Sequence, residues 1–462
     1  MLINTTIAAI ATAVSSAGIG IIRICGNDAL CIIDKIYKSK NKKKILSLES
    51  THTIHHGYIY NGEEVVDEVL VSIMHGPHSY TGEDTVEINC HGGIFVLKKV
   101  LEAVIDAGAV PAEPGEFTKR AFLNGKLDLS QAEAVMDLIE SQNEYALKSS
   151  ISQLRGSIYS TISQLRKKIL FETAFIETAL DDPEHISIEG YGEKLREVTL
   201  SLTSELEVIL KESDNGRVLH EGVQTVILGK PNVGKSSLLN ALTGVDKAIV
   251  TNIEGTTRDI LEEKVQVGGV TLNIVDTAGI RNTEDLVEKI GVGKALEYAK
   301  DADLIIYVID SSRELDENDE IIQEIIKNKK AIILFNKIDL EVKVNEEKLK
   351  NFSLKYKVPF IKVSTLNNIG LKELEEKIVE LFIKGKIDYN NQVYITNIRQ
   401  KTAIKLAKES LEKVIVSIDS GMPEDFYSID LLDAYDSLGK IIGETIGEDL
   451  VNEIFSKFCM GK

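Results

Sequence analysis

Residues 229–236 have the sequence Gly-Lys-Pro-Asn-Val-Gly-Lys-Ser, which matches the phosphate-binding pattern G-x-x-x-x-G-K-[ST]. The apolar run VQTVILG precedes this stretch and the pattern SSLLNAL follows it, so we predict a strand, a glycine-rich turn and a helix. In such a turn the backbone N–H groups surround phosphate, Lys235 offers a positive charge to the β- and γ-phosphates, and the Ser236 hydroxyl ligates Mg²⁺. This context, more than the eight residues alone, predicts a nucleotide-binding P-loop.

Three further polar turns come at the ends of predicted strands in the same region. Asp276-Thr277-Ala278-Gly279 is placed to hold Mg²⁺ through water and to turn an N–H onto the γ-phosphate. Asn336-Lys337-Ile338-Asp339 carries a carboxylate that accepts two N–H donors of guanine, a pair that adenine lacks. Ser364-Thr365-Leu366 follows the last strand, where O6 of guanine would lie. A related fold without a nucleotide would leave these turns unexplained, so the sequence predicts a guanine nucleotide site.

One position departs from the Ras-type pattern. Ras-type GTPases place a Gln directly after this turn to orient the attacking water, and the corresponding residue here is Ile280. The protein therefore needs another way to orient water and to neutralise charge. The candidates are a second cation near Asn232 and a carboxylate from RNTEDLVEKIG, residues 281–291. A loop at Gly255–Asp259 supplies a Thr for Mg²⁺.

Hydrophobic periodicity divides the chain into regions of different type. Apolar runs alternate with helical stretches from about Gly222, which is typical of a doubly wound α/β domain. Helical periodicity precedes this domain from Ser130 to about Leu210, and resumes from about Ile395. The simplest topology is a P-loop G domain inserted into one helical bundle domain, and two independent helical pieces are the alternative. The predicted limits are 1–120 for an N-terminal α+β domain, 121–216 and 387–462 for the helical domain, and 217–386 for the G domain.

Several local elements follow from the same patterns. Ile19–Ile24, Glu68–Met74 and Asp84–Cys90 are predicted strands, and a helix is predicted after Gly92-Gly93. Ser130 and Glu133 are three residues apart before an apolar helical pattern, which predicts a capping box with the Ser as N-cap.

The charge of the chain limits its partners. The 462 residues carry a net charge of −19, of which −9 lies in residues 127–216 and −5 in residues 387–462. A protein that grips long stretches of nucleic acid needs clustered Lys and Arg to displace counterions. Any contact with nucleic acid is therefore expected to be local, or shared with a partner protein.

Cysteine usage and the N-terminus bear on localisation. Cys25, Cys31, Cys90 and Cys459 form no C-x-x-C pair, which argues against zinc ribbons and is typical of reduced cytosolic thiols. The apolar start Ile7–Val14 fits a strand or a signal peptide, and the absence of a preceding Lys or Arg favours the strand. No apolar run approaches the ~20 residues that span a bilayer. We expect a cytoplasmic protein that makes no membrane contact.

The motifs GKPNVGKSSLLN, VTNIEGTTRD, DTAGIR and NKID resemble the TrmE–Era–Era-like branch of the P-loop GTPases. Ser79–Gly93, Pro114–Ile139 and Phe458–Lys462 narrow the resemblance to the MnmE (TrmE) family of tRNA modification GTPases. The resemblance extends from end to end. It implies an N-terminal folate-binding and dimerisation domain, and a helical domain with an inserted G domain, in agreement with the topology predicted from periodicity.

For the G domain, the resemblance implies a GTPase that K⁺-dependent dimerisation of the G domains activates. A K⁺ ion bridging the phosphates stabilises charge in the transition state, as an arginine finger does elsewhere. Glu288 matches the family's catalytic carboxylate, which orients water through a second water, although a solvated helix face is the other interpretation of this residue. Lys235 and Arg281 complete the catalytic set in this domain. The implied ligands are Ser236 and Thr257 for Mg²⁺, and Asn232, Thr251, Ile253 and Thr256 for K⁺. The GTP-binding set is Gly229, Asn232, Val233, Gly234, Lys235, Ser236, Ser237, Thr251, Asn252, Ile253, Glu254, Gly255, Thr256, Thr257, Asp276, Thr277, Ala278, Gly279, Asn336, Lys337, Asp339, Ser364, Thr365 and Leu366.

For the N-terminal domain, the resemblance implies a site for 5-formyl-tetrahydrofolate or a related one-carbon folate. The matching residues are Arg23, Glu87, Lys126 and Lys462, which without the resemblance would be interpreted as surface charges. Glu87 suits the donors of a pterin edge, and the cations suit the carboxylates of a glutamate tail. Cys459 matches the family's C-terminal Cys, for which a nucleophilic role and an inert one both stay open.

Two functions from different classes follow. The first is an enzyme that, as a homodimer with an FAD-dependent flavoprotein of the MnmG (GidA) type, modifies C5 of the wobble uridine of certain tRNAs. The group it installs is of the aminomethyl or carboxymethylaminomethyl type. The second is a regulatory G protein that associates with RNA or the ribosome and has no modification chemistry. A folate site favours the first, because a regulator has no use for one.

Overall fold

The computed structural model describes residues 5–40, 44–187, 190–245, 262–275, 298–327, 329–382 and 395–461. The chain forms two compact units. The first contains Met1–Met136, Gln153–Thr199 and Glu409–Lys462, and the second contains Asp137–Ser152 and Leu200–Lys408. The second unit therefore interrupts the first along the sequence. Among the described residues, no helix combines the length and the apolar composition needed to cross a membrane.

The first unit begins with a seven-stranded sheet. Its strands are β1 (Ile7–Ile10), β2 (Ile19–Cys25), β3 (Tyr37–Ser39), β4 (Thr53–Asn61), β5 (Glu64–Met74), β6 (Thr85–His91) and β7 (Val110–Pro111). Their order is β3-β4-β5-β6-β2-β1-β7, antiparallel throughout except for the parallel pair β1 and β7. The predicted α+β domain is confirmed, and β1 confirms the strand interpretation of the apolar start.

Two helices cover one face of this sheet. Helix α1 spans Ala29–Ile36 and α2 spans Ile94–Asp106. Alternate strand residues such as Ile22, Ile24 and Ile88 are fully buried in one core with these helices. Successive strand residues point to opposite faces of a sheet. Arg23, which lies between Ile22 and Ile24, is therefore on the face opposite to these helices.

Two helices follow the sheet along the chain, α3 (Glu116–Leu123) and α4 (Leu129–Glu140). The predicted N-cap of α4, Ser130, is wrong, because Asp128 caps this helix. Oδ1 of Asp128 accepts hydrogen bonds from the backbone N–H groups of Ser130 (2.8 Å) and Gln131 (3.1 Å), and Oε1 of Gln131 accepts from the N–H of Asp128 (3.0 Å). The capping box thus joins Asp128 and Gln131, and the Ser130 hydroxyl is one more donor to Asp128 (2.5 Å). Leu129 is fully buried as the first residue of the helix, so the helix begins two residues earlier than a cap at Ser130 would require.

Asp128→Ala is expected to lower the free energy of unfolding of this unit by about 1 kcal/mol, the usual cost of a lost N-cap. Burial raises the pKa of the Asp128 carboxyl despite its hydrogen bonds, because burial disfavours the charged form. Asp128→Asn, which keeps an acceptor, should therefore stay close to the unaltered protein. Urea unfolding followed by circular dichroism measures both, and a larger loss in Ser130→Ala than in Asp128→Ala would restore Ser130 as the cap.

The second unit contains a six-stranded sheet. Its strands are β8 (Val223–Leu228), β9 (Glu262–Val267), β10 (Val270–Val275), β11 (Leu304–Asp310), β12 (Ala331–Asn336) and β13 (Phe360–Lys362). Their order is β13-β12-β11-β8-β10-β9, and all neighbours are parallel except β9, which runs antiparallel to β10.

Helices lie on both faces of this sheet, as a doubly wound domain requires. After α5 (Glu144–Leu154), α6 (Ser157–Asp181) and α7 (Tyr191–Glu221), the G domain adds α8 (Lys235–Val245), α9 (Glu317–Ile326), α10 (Glu346–Tyr356) and α11 (Leu371–Phe382). Helices α8 and α11 share one apolar core with the sheet, and α9 and α10 share the other. The predicted doubly wound G domain is confirmed.

The helices before and after the G domain form one bundle. The C-terminal helices are α12 (Ile398–Asp419), α13 (Asp425–Ile442) and α14 (Glu448–Ser456), and α13 packs along α6. The Arg166 guanidinium of α6 lies 3.9 Å over the Tyr435 ring of α13. Arg196 of α7 donates to Asp419 of α12 over 2.7 Å. The alternative of two independent helical pieces is therefore wrong, and the insertion of the G domain into one helical domain is confirmed.

Candidate functional site

Two glycines give the P-loop its path between β8 and α8. Gly229 has a φ of +150°, and a Cβ atom there would lie 2.4 Å from the carbonyl oxygen of Val308. Gly234 has a φ of +105°, and a Cβ atom there would lie 2.3 Å from Nδ2 of Asn336. Both distances are too short for any side chain, so these positions admit only glycine. The loop is thus pressed against β11 on one side and against the end of β12 on the other.

Side chains hold four carbonyl groups of the P-loop. Lys235, within the loop, donates from Nζ to the carbonyls of Gly229 (2.6 Å) and Lys230 (2.8 Å). From outside the loop, Lys337 Nζ donates to the carbonyl of Asn232 (2.7 Å) and Asn336 Nδ2 to that of Val233 (2.8 Å). In a trans peptide the N–H points opposite to the C=O. Anchoring four carbonyls in this way directs N–H groups of the loop toward its other side, which is the arrangement that binds phosphate.

Asn336 connects the P-loop to the two segments predicted to bind guanine. It is fully buried, and its Oδ1 accepts a hydrogen bond from the backbone N–H of Thr365 over 3.2 Å. Ser364 Oγ donates to Oδ1 of Asp339 over 2.5 Å, which orients the carboxylate. The Asp339 side chain itself is exposed, so it is open to a ligand. The structure therefore brings together the P-loop and both predicted base-binding segments.

Asp310 belongs to this site and was not predicted from the sequence. This buried residue ends β11, and its Oδ2 lies 2.7 Å from Nζ of Lys337. Burial alone would raise the pKa of the Asp310 carboxyl, but hydrogen bonds from Lys337 and Ser312 outweigh burial and hold the pKa below its ordinary value. The signal was available, because a charged residue at the carboxyl end of a parallel strand lies where such sheets bind ligands.

The remaining predicted residues of the G domain divide into two groups. Asn232, Ser236 and Ser237 are exposed on or beside the loop, and Leu366 is exposed next to Thr365. The others lie outside the described residues, namely Thr251, Asn252, Ile253, Glu254, Gly255, Thr256, Thr257, Asp276, Thr277, Ala278, Gly279, Arg281 and Glu288.

A second group of predicted residues meets on the N-terminal sheet. Arg23 of β2 and Glu87 of β6 are opposite each other in register, and their side chains form an ion pair at 2.8 Å. The Arg23 guanidinium also lies 5.6 Å from the Phe117 ring centre and 6.0 Å from that of Tyr80. Its Nη1 donates to the carbonyl of Gly461 over 3.2 Å, so the C-terminus reaches this site. The two rings were not identified from the sequence.

The C-terminal segment is fixed against the N-terminal domain by backbone packing. Gly461 has a φ of +83°, and a Cβ atom there would lie 2.4 Å from the carbonyl oxygen of Ile10. The carbonyl of Cys459 accepts a hydrogen bond from the N–H of Gly115 over 3.3 Å, while the Cys459 side chain is exposed. Lys462 directly follows Gly461 and lies outside the described residues.

Lys126 is exposed at the edge of the same region. Its Nζ donates to the carbonyl of Pro77 over 3.0 Å. A Cβ atom at Gly82 would lie 3.4 Å from Cγ of Lys126, so the lysine stem passes over the turn that carries Tyr80. Of the four predicted folate residues, Arg23 and Glu87 thus lie on one strand pair, and Lys126 lies beside the turn that carries Tyr80. Gly461, which precedes Lys462, contacts Arg23.

Comparison with known proteins identifies the family to which the chain belongs. The model of the GTP-binding protein TrmE N-terminus matches residues 6–126, and that of the MnmE helical domain matches residues 129–459. A tRNA modification GTPase MnmE from Lachnoclostridium phytofermentans is 57% identical over 457 residues, covering 99% of both chains. The chain belongs to the MnmE family. Relatives with the same name in Acetivibrio thermocellus and Clostridioides difficile are 50% and 46% identical, over 99% and 100% of both chains. Membership in the MnmE family makes the chain a GTPase of tRNA modification, for which GTP and Mg²⁺ are required.

Proposed function

We propose that the protein is a K⁺-dependent GTPase that, with a flavoprotein of the MnmG type, modifies C5 of the wobble uridine in certain tRNAs with a one-carbon folate. One observation carries this proposal. A single chain holds both a guanine nucleotide site and, on its N-terminal domain, the Arg23–Glu87 pair flanked by two aromatic rings and the C-terminus. A regulatory G protein needs the first of these sites and has no use for the second.

The nucleotide site supports a division of roles among its residues. Lys235 lies against the β- and γ-phosphates, and Asp339, oriented by Ser364, binds the N–H donors of guanine. The exposed Ser236 hydroxyl and Asn232 amide suit Mg²⁺ and K⁺, since both ions prefer oxygen ligands. Bound cations supply positive charge to the transition state.

Residues outside the described part of the chain complete the proposed site. Thr257 joins Ser236 on Mg²⁺, and Thr251, Ile253 and Thr256 join Asn232 on K⁺. Asp276 and Gly279 hold Mg²⁺ and the γ-phosphate. Glu288 orients the attacking water, a task for which the Ile280 position has no polar group.

The residues around Arg23 fit a folate by the chemistry of their side chains. Glu87 is an acceptor for the N–H donors of a pterin, and the rings of Tyr80 and Phe117 offer flat apolar surface beside it. Lys126 and Lys462 are cations for the carboxylates of the glutamate tail. A bound folate supplies the one-carbon unit. The C-terminal segment packs Cys459 against the N-terminal domain, where its exposed thiol is available for a chemical role.

The proposal extends to assembly and location. The N-terminal domain, 1–120, forms the homodimer, residues 121–216 and 387–462 form the helical domain, and 217–386 form the G domain. The protein acts in the cytoplasm. Because the chain carries a net charge of −19, the flavoprotein partner supplies much of the positive surface that holds the tRNA.

Hydrolysis is expected to be faster in KCl than in NaCl at equal ionic strength. The backbone carbonyl of Asn232 is anchored by Lys337 Nζ, the residue has a left-handed φ of +62°, and its exposed side-chain amide is open to an ion. Asn232→Ala should remove the difference between the salts, and Asn240→Ala, which removes an exposed amide of α8 outside the GTP-binding set, serves as the matched control. Steady-state release of phosphate in the two salts measures the effect, and equal rates would eliminate the cation mechanism.

Titration of 5-formyl-tetrahydrofolate into the purified protein separates the two function classes. We expect saturable binding that Arg23→Ala and Glu87→Gln weaken strongly. Arg196→Ala, which removes an exposed ion pair with Asp419 elsewhere in the same unit, is the matched control and should bind normally. No saturable binding to the unaltered protein would favour a regulatory G protein.

A further inference from the structure

Lys230, the second residue of the P-loop, is anchored by two carboxylates outside the loop. Its Nζ lies 2.8 Å from Oδ2 of Asp316 and 2.6 Å from Oδ2 of Asp319, and 22% of its side chain is exposed. Asp316 directly precedes α9 and Asp319 lies in the first turn of that helix. In the P-loop pattern Lys230 occupies one of the unspecified positions, so the motif gives its side chain no task.

Asp319 connects Lys230 to the core of the domain. Asp319 is buried, with 3% of its surface exposed, and the hydroxyl of Tyr307 donates to its Oδ1 over 2.5 Å. The backbone N–H of Asp316 donates to its Oδ2 over 3.0 Å. Tyr307 is fully buried on β11, in register with Leu228, the last residue of β8 before the P-loop. These four residues, which we call the Lys230 cluster, tie the loop to β11 and α9.

The charges in the Lys230 cluster depend on each other. Burial alone would lower the pKa of Lys230, but Asp316 and Asp319 outweigh burial and raise it, so the ammonium stays charged at neutral pH. Burial, together with the Asp319 carboxylate, raises the pKa of Tyr307 and keeps it a neutral donor. Loss of the ammonium would leave two adjacent carboxylates to repel each other beside the loop, which is costly where one is buried.

The backbone of Lys230 connects this cluster to the chemistry. Its carbonyl accepts a hydrogen bond from Nζ of Lys235 over 2.8 Å, next to the one that Gly229 accepts. Fixed acceptors define how the Lys235 ammonium is oriented. We propose that Lys230 is a positioning residue for GTP hydrolysis, held by the two aspartates so that its carbonyl orients the ammonium of Lys235. This inference rests on the role of Lys235 in the proposed function.

Lys230→Met tests the inference, because Met keeps the length of the side chain and removes its charge. We expect kcat to fall about tenfold or more while KM for GTP stays within about threefold, since misplacement of a catalytic group acts mainly on the transition state. Lys230→Arg retains a cation for both carboxylates and should restore most of the kcat that Lys230→Met loses. The measurements are kcat and KM in KCl, with the thermal midpoint of each variant.

Two further variants keep the test decisive. Tyr307→Phe removes one hydroxyl from the far end of the cluster and should lower kcat about threefold, so it replaces Lys230→Met if that variant does not fold. Lys350→Met is the matched control, because it removes an exposed ion pair with Glu346 at 2.6 Å in the same domain, away from the loop. We expect Lys350→Met to hydrolyse GTP at the unaltered rate.

The outcomes separate this inference from the proposed function. The inference would be overturned if Lys230→Met had a lowered thermal midpoint and an unaltered kcat, which would leave Lys230 a purely structural role. If Lys230→Met does not fold, the same result in Tyr307→Phe would overturn it. Lys235→Ala is measured alongside. If Lys235→Ala loses hydrolysis while Lys230→Met keeps it, the inference fails and the proposed function stands. If Lys235→Ala hydrolyses GTP normally, the proposed function itself fails.

Discussion

Glu288→Ala is expected to hydrolyse GTP at least about a hundredfold more slowly than the unaltered protein, which is within the range for a lost acid–base group. The reason is the Ile280 position, which offers no polar group to the water where Ras-type GTPases have Gln. A residue that orients water acts in the transition state, so GTP should bind with nearly unchanged affinity. Single-turnover hydrolysis and equilibrium binding of a fluorescent GTP analogue measure the two quantities separately.

The neighbouring acidic residues provide matched controls for this change. Glu284→Ala and Asp285→Ala remove a carboxylate from the same short segment and should stay within a few-fold of the unaltered rate. K⁺-dependent association of the G domains should persist in Glu288→Ala. If this variant hydrolyses GTP normally, or if its lower activity arises wholly from weaker GTP binding, Glu288 is only a solvated residue.

Asp339→Asn is expected to weaken GTP binding by about 3 kcal/mol or more, because two hydrogen bonds from guanine to a charged acceptor are lost. That corresponds to at least about a hundredfold in Kd. The structure shows the carboxylate oriented by Ser364 and exposed to a ligand, so the change affects recognition without disturbing a buried ion. Xanthosine triphosphate, whose base presents an acceptor where guanine has its amino group, should bind the variant better than it binds the unaltered protein.

Two variants calibrate this prediction. Ser364→Ala leaves the carboxylate but removes the donor that orients it, so a smaller loss of GTP affinity is expected. Glu341→Gln neutralises an exposed carboxylate two residues beyond Asp339 and should leave both nucleotides unaffected. Competition binding against a fluorescent GDP measures all three, and unchanged GTP affinity in Asp339→Asn would disprove the base-recognition role.

The sequence alone predicted the G domain well because its parallel strands are buried on both faces and therefore form continuous apolar runs. It missed the antiparallel edge strand β9, although Gly268-Gly269 between Val267 and Val270 is a typical two-residue hairpin turn. Glu262 and Glu263 make the start of this edge strand polar, so the strand has no continuous apolar run to reveal it in the sequence. The misplaced cap of α4 has a similar cause, because Asp128 and Ser130 are both good N-cap residues and only packing of Leu129 decides between them.

The candidate sites were predictable as far as motifs define them. The P-loop glycines and the turns around Asn336 and Ser364 have fixed spacings, and the structure brings them together. Asp310, which pairs with Lys337, and the two carboxylate partners of Lys230 were missed because they come from other strands and helices, at separations that no motif records. The roles assigned to residues such as Glu288 stay predictions that rest on family resemblance.

The central claim is that GTP hydrolysis by this chain serves wobble uridine modification, and mass spectrometry of tRNA nucleosides tests it most directly. In cells that lack the chain, the aminomethyl-type group at C5 of the wobble uridine should disappear. It should return with the unaltered chain and stay absent with Glu288→Ala, produced at the same level. Full modification in cells without the chain would contradict the account.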